Sequence, residues 1–180
     1  MWFRDVELIS ETIYRTLKPK SVIDVGCGVG AYIYYLNKHG VKIEGIEGSN
    51  AAFKVLMVPQ NVVKGLDLRS ISSYKPKRKY DLAMCIEVLE HINPKHADMV
   101  LDFLCEASDT ILISAASPGQ GGRYHMNEQT SEYWISKMKK RGCNLDLSTT
   151  SEIKKEIAGK IKVVTWIPKN LLIFRRVYTK

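Results

Sequence analysis

Val22-Ile-Asp-Val-Gly-Cys-Gly-Val-Gly30 is the stretch on which the reading of this chain turns. The β-branched run Ser21 to Val25 breaks into glycines at 26, 28 and 30, and the residues after them, Ala31 to His39, have helical character and close on Gly40. This is strand, glycine turn, helix. Further on, Val41 to Ile46 reads as a strand, residues 49 to 57 as a short helix, and Asn61 to Lys64 as a strand ending at Gly65-Leu-Asp67. Strands alternating with helices imply a parallel sheet covered on both faces. Upstream, Phe3 to Leu17 places Val6, Ile9, Ile13 and Leu17 at helical spacing, and Pro19 stops the helix.

Tyr80 to Ile86 predicts the next strand. Asn93-Pro94 supplies a cap and a first-turn proline for a helix through about Ala107, and Thr110 to Ala115 follows as a strand. Gly119 to Gly122 mark a flexible loop. Glu128 to Arg141 carries Tyr133, Trp134 and Met138 at helical spacing, Asn144 to Leu147 reads as a strand, residues 149 to 158 as a helix, and Asn170 to Val177 as a buried strand bounded by Pro168. Ile161 to Ile167 has no assignment. The basic run Lys75-Pro-Lys-Arg-Lys79 sits between a turn and a strand and reads as a solvated loop without a function of its own.

At 180 residues, with 45% apolar and 26% charged residues, the chain predicts one globular domain and excludes disordered, collagen-like and disulfide-scaffold classes. No apolar run reaches the roughly 18 residues that span a bilayer, and Met-Trp-Phe-Arg-Asp lacks the order of a signal peptide, so a soluble, cytoplasmic protein is expected. Cys27, Cys85, Cys105 and Cys143 contain no CxxC pair; buried thiols are expected and no metal site. The net charge of +8 is uneven: residues 137 to 180 hold 12 Lys/Arg against 3 Asp/Glu, leaving 15 against 16 before them. Such a basic segment could meet RNA or another acidic partner.

In an open parallel sheet the ligand crevice lies beyond the carboxyl ends of the strands. Gly26, Gly28 and Gly30 sit at the first such turn, where a missing Cβ lets backbone approach a ligand. Glu47, at the end of the second strand, suits a ribose diol. Asp24 discriminates further, because a carboxylate beside the turn opposes a pyrophosphate and suits a ligand carrying an ammonium and a sulfonium. That disfavours a nicotinamide-dependent dehydrogenase. Asp67 closes the third strand, where it could accept from an adenine amino group beside the amide of Leu68, or simply cap a turn.

With these residues in place, the sequence resembles the class I S-adenosylmethionine-dependent methyltransferases. Val22 to Gly30 matches the family's first motif, Gly45-Ile-Glu-Gly48 its acidic second, and Tyr80-Asp-Leu-Ala-Met-Cys-Ile-Glu-Val-Leu-Glu-His-Ile92 its fourth, in order over about residues 20 to 116. The resemblance implies a three-layer α/β sandwich around a seven-stranded, mostly parallel sheet of order 3-2-1-4-5-7-6 with the last strand antiparallel. It implies S-adenosylmethionine as cofactor and S-adenosylhomocysteine as product. It puts Asp24, Gly26, Cys27 and Gly28 near the aminocarboxypropyl arm, Glu47 and Gly48 at the ribose, Asp67 and Leu68 by the adenine, and Cys85, Ile86 and Glu87 beside the methionyl portion. The chain divides accordingly into an N-terminal helix (1–19), a cofactor-binding half (20–116) and an acceptor-side half (117–180) of one domain.

Cys85-Ile-Glu-Val88 is not the Asn/Asp-Pro-Pro-aromatic run of the exocyclic-amine DNA methyltransferases, and no Pro-Cys of the cytosine-C5 type occurs. The Glu-Val-Leu-Glu-His stretch instead resembles methyltransferases of small molecules, lipids, sugars or protein side chains. The loop Ser117 to Gln129 would overhang the acceptor side, making Arg123, Tyr124, His125 and Asn127 candidates for substrate binding, and His125, Tyr124 and His91 for catalysis. Methyl transfer to oxygen or nitrogen of a small-molecule, sugar or lipid acceptor is the favoured activity. An RNA or protein methyltransferase using the basic segment, and a non-catalytic cofactor-binding subunit, are the alternatives.

Overall fold

The computed structural model describes residues 2–178. Strands β1 (Ser21–Val25), β2 (Lys42–Glu47), β3 (Val63–Gly65), β4 (Leu82–Ile86), β5 (Thr110–Ser114), β6 (Cys143–Leu145) and β7 (Leu172–Arg176) form one sheet in the order β3-β2-β1-β4-β5-β7-β6. The β1–β5 pairs are parallel, while β7 runs antiparallel to both β5 and β6. This is the topology that the motif resemblance implies.

The strands are apolar throughout because both faces of the sheet are covered, and the two-residue period decides which cover each side chain meets. Ile23, Cys85, Ile113 and Phe174 face α4 (Pro94–Ala107) and α5 (Ser131–Lys139), packing with Val100, Leu104, Trp134 and Met138. Their neighbours Val22, Met84, Leu112 and Ile173 face α1 (Trp2–Leu17), α2 (Ala31–Lys38) and α6 (Leu147–Ile157), packing with Ile9, Ile13, Leu36, Ile153 and Ile157. Each such side chain contributes about 1.5–3 kcal/mol by leaving water. Stability therefore sits in the two covered faces, and the carboxyl edge of the sheet is left for a site.

Several boundaries move for local reasons. The helix expected from Glu128 begins at Ser131, because Thr130 caps it by accepting from the Tyr133 amide at 3.4 Å, while Glu128 is held by the preceding loop. Leu147 opens α6 instead of ending a strand, since Asp146 accepts from the Thr149 amide at 3.0 Å and turns the chain. The helix expected over 49–57 contracts to α3 (Asn50–Phe53), capped by Ser49. Tyr80 makes only an isolated bridge to Ser108, so β4 begins at Leu82. Ile161 to Trp166 takes no regular form and leads into α7 (Ile167–Asn170). In the basic loop Lys75, Lys77 and Lys79 pair with Glu106, Glu44 and Asp109 at 2.9, 3.3 and 3.2 Å, and so tie that loop to the sheet and α4.

Candidate active site

Beyond the carboxyl ends of β1 and β4 lies a crevice of about 500 Å3, and beside it a second of about 460 Å3. They share Gly26, Glu87 and His91 and so form one elongated depression. Asp24, Gly26, Cys27, Gly28, Ile86 and Glu87 line the first. Glu47, Gly48, Asp67 and Leu68 line the second. Cys85 lines neither; it is fully buried among the β-strand and α4 side chains and acts as core.

The glycine turn is shaped by close contacts. Gly26 has φ +80°, and a Cβ there would stand 2.6 Å from Val88 Cγ2, so a side chain would be strained in backbone and crowded in space. Its amide and that of Cys27 donate to the Ile46 carbonyl at 2.8 and 3.0 Å. Glu47 braces the same turn from β2, with one carboxylate oxygen accepting from the Gly28 amide and the other from the Ser49 amide, both at 2.7 Å. Asp67 accepts from the Arg69 amide at 2.8 Å and pairs with the Arg69 guanidinium, so its turn-capping role is realised.

Asp24 is only 2% exposed, and its Oδ2 has no hydrogen-bond partner. Burial, reinforced by the charge of Glu47, pushes its carboxyl up to about 7. An orphaned carboxylate facing a crevice is a site in want of a cation. Burial and the same two carboxylates push the Cys27 thiol up, and burial does so for Cys85, which removes thiolate chemistry from the site.

The opposite side of the first crevice is built from Glu90, His91 and the loop after β5. Glu90 is 1% exposed, and burial together with Glu87 pushes its carboxyl up to about 7 against the opposing influence of the Glu90 and Ala116 amides. His125 is fixed by Glu128 at 2.8 Å, and its ring stands edge-on to His91 with centroids 4.8 Å apart. Glu128 in turn accepts from the amides of Gly119 and Gly121, both at 2.8 Å, which folds the loop over the crevice.

The loop candidates separate. His91 and His125 line the first crevice; Arg123 and Tyr124 do not and are exposed, with the guanidinium lying over the Tyr124 ring. Asn127 is buried behind the loop, where its amide donates to the Leu89 carbonyl at 3.2 Å and its oxygen accepts from Gln129. It anchors the loop. Sequence reasoning passed over the apolar wall made by Trp2, Val164, Trp166 and Ile167, which comes from two ends of the chain. The cluster Trp166-Ile-Pro168 was its only visible signal.

A family model described as a methyltransferase domain matches residues 2–116, from α1 to just past the end of β5. The chain belongs to this methyltransferase family. Among its relatives is a ubiquinone biosynthesis O-methyltransferase from Nitrosomonas europaea, 35% identical over 88 residues, an alignment spanning 46% of this chain and 37% of that relative. The chain thus spans little more than a third of the length of that methyltransferase. In fold, it is similar to a magnesium protoporphyrin IX methyltransferase from Synechocystis PCC 6803 solved with bound S-adenosylhomocysteine: TM-score 0.71 over 97% of this chain and 83% of that one, at 17% identity. A [4+2]-cyclase shares the fold as well, with TM-score 0.65 over 97% of this chain and 82% of the other, at 14% identity.

Proposed function

We propose that the chain binds S-adenosylmethionine and transfers its methyl group to an oxygen or nitrogen of a small-molecule, sugar or lipid acceptor. The observation that carries this reading is Asp24, a buried carboxylate with a free oxygen at the glycine turn of a methyltransferase-family chain. Ion pairing with an ammonium group would satisfy that oxygen and return the carboxyl to its ionised form. Glu47 would take the ribose hydroxyls with the lone pairs its two backbone bonds leave, and Asp67 and Leu68 would border the adenine. Once bound, the sulfonium supplies the methyl group and departs as a neutral thioether.

What remains for the protein is alignment, worth several orders of magnitude when reacting atoms are held in line. Trp2, Val164, Trp166 and Ile167 would hold an apolar part of the acceptor, with its reacting atom turned toward His91 and His125. The apolar wall favours a small acceptor over a polyanion. Part of the basic segment is also engaged within the chain, since Lys137, Arg141, Lys160, Arg175 and Arg176, five of its 12 Lys/Arg, each hold a carboxylate. Thermal unfolding tests the reading: S-adenosylhomocysteine at 100 times its Kd should raise stability by about 2.7 kcal/mol, and NAD at equal concentration should not. Stabilisation by NAD alone would overturn it.

A further inference from the structure

We propose that Cys105 and Cys143 form a modification site, a dithiol that a peroxide oxidises reversibly to a disulfide fastening the edge strand β6 to α4. The two sulfurs lie 3.4 Å apart and share a hydrogen bond, although 38 positions separate the residues in the chain. A disulfide needs about 2.05 Å between sulfurs, so a closure of about 1.4 Å, shared between two side chains, forms it. Cys27 and Cys85 have no such neighbour, since they belong to opposite faces of the sheet.

The backbones on both sides of the pair are already fastened to each other. Arg141, two residues before Cys143, binds Asp98 and Asp102 of α4, both at 2.7 Å. Arg176, which pairs with Cys143 across β7, donates from its guanidinium to the Cys105 carbonyl at 2.5 Å. The two sulfurs are thus held facing each other before any bond forms. Their surroundings are cationic as well: beside Cys105 opens a cleft of about 450 Å3 lined by Lys79, Arg141 and Arg176 together with Asp102 and Glu106. The hydrogen bond from Cys105, with Arg176 and Lys79 acting against burial and the charge of Asp109, brings the Cys143 thiol down to about 7. Cys143 itself is buried, but β6 is only three residues long and has one strand neighbour, so its opening toward the cleft is a local event. The pair sits where α4 ends and β6 begins, beside the last residue of the antiparallel β7, which is the edge of the sheet opposite the crevice.

The chemistry takes two steps. The Cys143 thiolate attacks one oxygen of hydrogen peroxide; a sulfur–oxygen bond forms, the oxygen–oxygen bond breaks, and the departing hydroxide takes up the proton the thiol released and leaves as water. The Cys105 sulfur then attacks the sulfur of this sulfenic acid. A sulfur–sulfur bond forms, the sulfur–oxygen bond breaks, and the oxygen leaves with the Cys105 proton as a second water. One peroxide is reduced to two waters while two thiols are oxidised to one disulfide, and a dithiol reductant restores the thiols by exchange. The bond restricts the unfolded chain by closing a long loop, and it keeps the short edge strand from peeling off the sheet.

The test is hydrogen peroxide treatment of the reduced full chain, read by thiol count after denaturation, by peptide mapping and by melting temperature, on wild type and Cys105→Ser. Oxidised wild type should lose two of its four thiols, yield a peptide pair linked through Cys105 and Cys143, and melt roughly 10 °C higher than the reduced chain. Dithiothreitol should reverse all three changes. In Cys105→Ser, Cys143 should stop at the sulfenic acid, where dimedone traps it, and the same treatment should bring no rise in melting temperature. The wild-type measurements decide the matter by themselves if the variant does not fold. Loss of thiols without the link between Cys105 and Cys143, a link formed only in the denatured chain, or a linked form that melts no higher than the reduced one overturns the proposal.

Discussion

Asp24 and His125 are both fixed by their surroundings before any ligand arrives, and each makes a prediction of its own. An Asp24 carboxyl raised from 3.8 to about 7 must ionise to meet an ammonium, so affinity for S-adenosylhomocysteine should fall about tenfold per pH unit below 7. Asp24→Asn should bind weakly and with a flatter profile, as calorimetry at a series of pH values would read. In the ligand-free chain the sign for stability is opposite. The folded state keeps a proton that the unfolded chain has released, so the stabilisation attached to Asp24 is full below pH 3.8 and is lost as pH rises through about 7. The melting temperature of wild type should drop relative to Asp24→Asn across that window. For His125 the neighbour is Gly122, where a Cβ would run into the imidazole ring. Gly122→Ala should therefore displace the imidazole and lower kcat by about tenfold or more with S-adenosylhomocysteine affinity unchanged, since a misplacement of about 1 Å can cost a hundredfold. Unaltered kcat would remove His125 from the acceptor machinery. Asp24 and Glu47 were legible in the sequence because each sits at the end of a strand that announces itself; Glu90 was not, because its burial is created by residues folded around it.

At the scale of elements, the apolar wall of the crevice is held by a contact between α1 and the 162–164 segment. Asp5 in α1 is 2% exposed, and its carboxylate accepts from the amides of Lys162, Val163 and Val164 at 2.9, 2.5 and 3.1 Å. Burial works to raise its pKa, but the amides of Val163, Val164 and Lys162 outweigh it and hold the carboxyl below 3.8. The segment so held carries Val164, Trp166 and Ile167 into the crevice. Asp5→Ala leaves three amides without their acceptor and should cost about 2 kcal/mol, or roughly 5 °C in Tm, by calorimetric scanning. Because this carboxyl is lowered, its contribution is present above pH 3.8 and lost as pH falls through the folded value, the reverse of Asp24. Strand and helix periodicity made β1, α4 and the body of α1 readable, with β1 and α4 bounded as expected. The 161–166 segment has no periodicity to read, as its shape comes from a carboxylate more than 150 positions away in the chain.

At the scale of the molecule, one sheet with two covered faces supplies stability and leaves its carboxyl edge to bind. That much followed from the order of strands, glycine turns and helices together with the motif resemblance. The acceptor did not follow, since the same fold carries a [4+2]-cyclase and fold does not fix reaction. The residues that match the motifs lie on the turns after β1, β2, β3 and β4, while the rest of the crevice draws on α1, the loop after β5 and the 161–170 segment, so only the first set is written in short motifs. The most direct test of the central claim is calorimetric titration of wild type and Asp24→Asn with S-adenosylhomocysteine at pH 8. Saturable binding by wild type, weakened at least about tenfold in a variant that unfolds normally, is the result this account predicts. Equal affinity in the two proteins, or no binding by folded wild type, would contradict it.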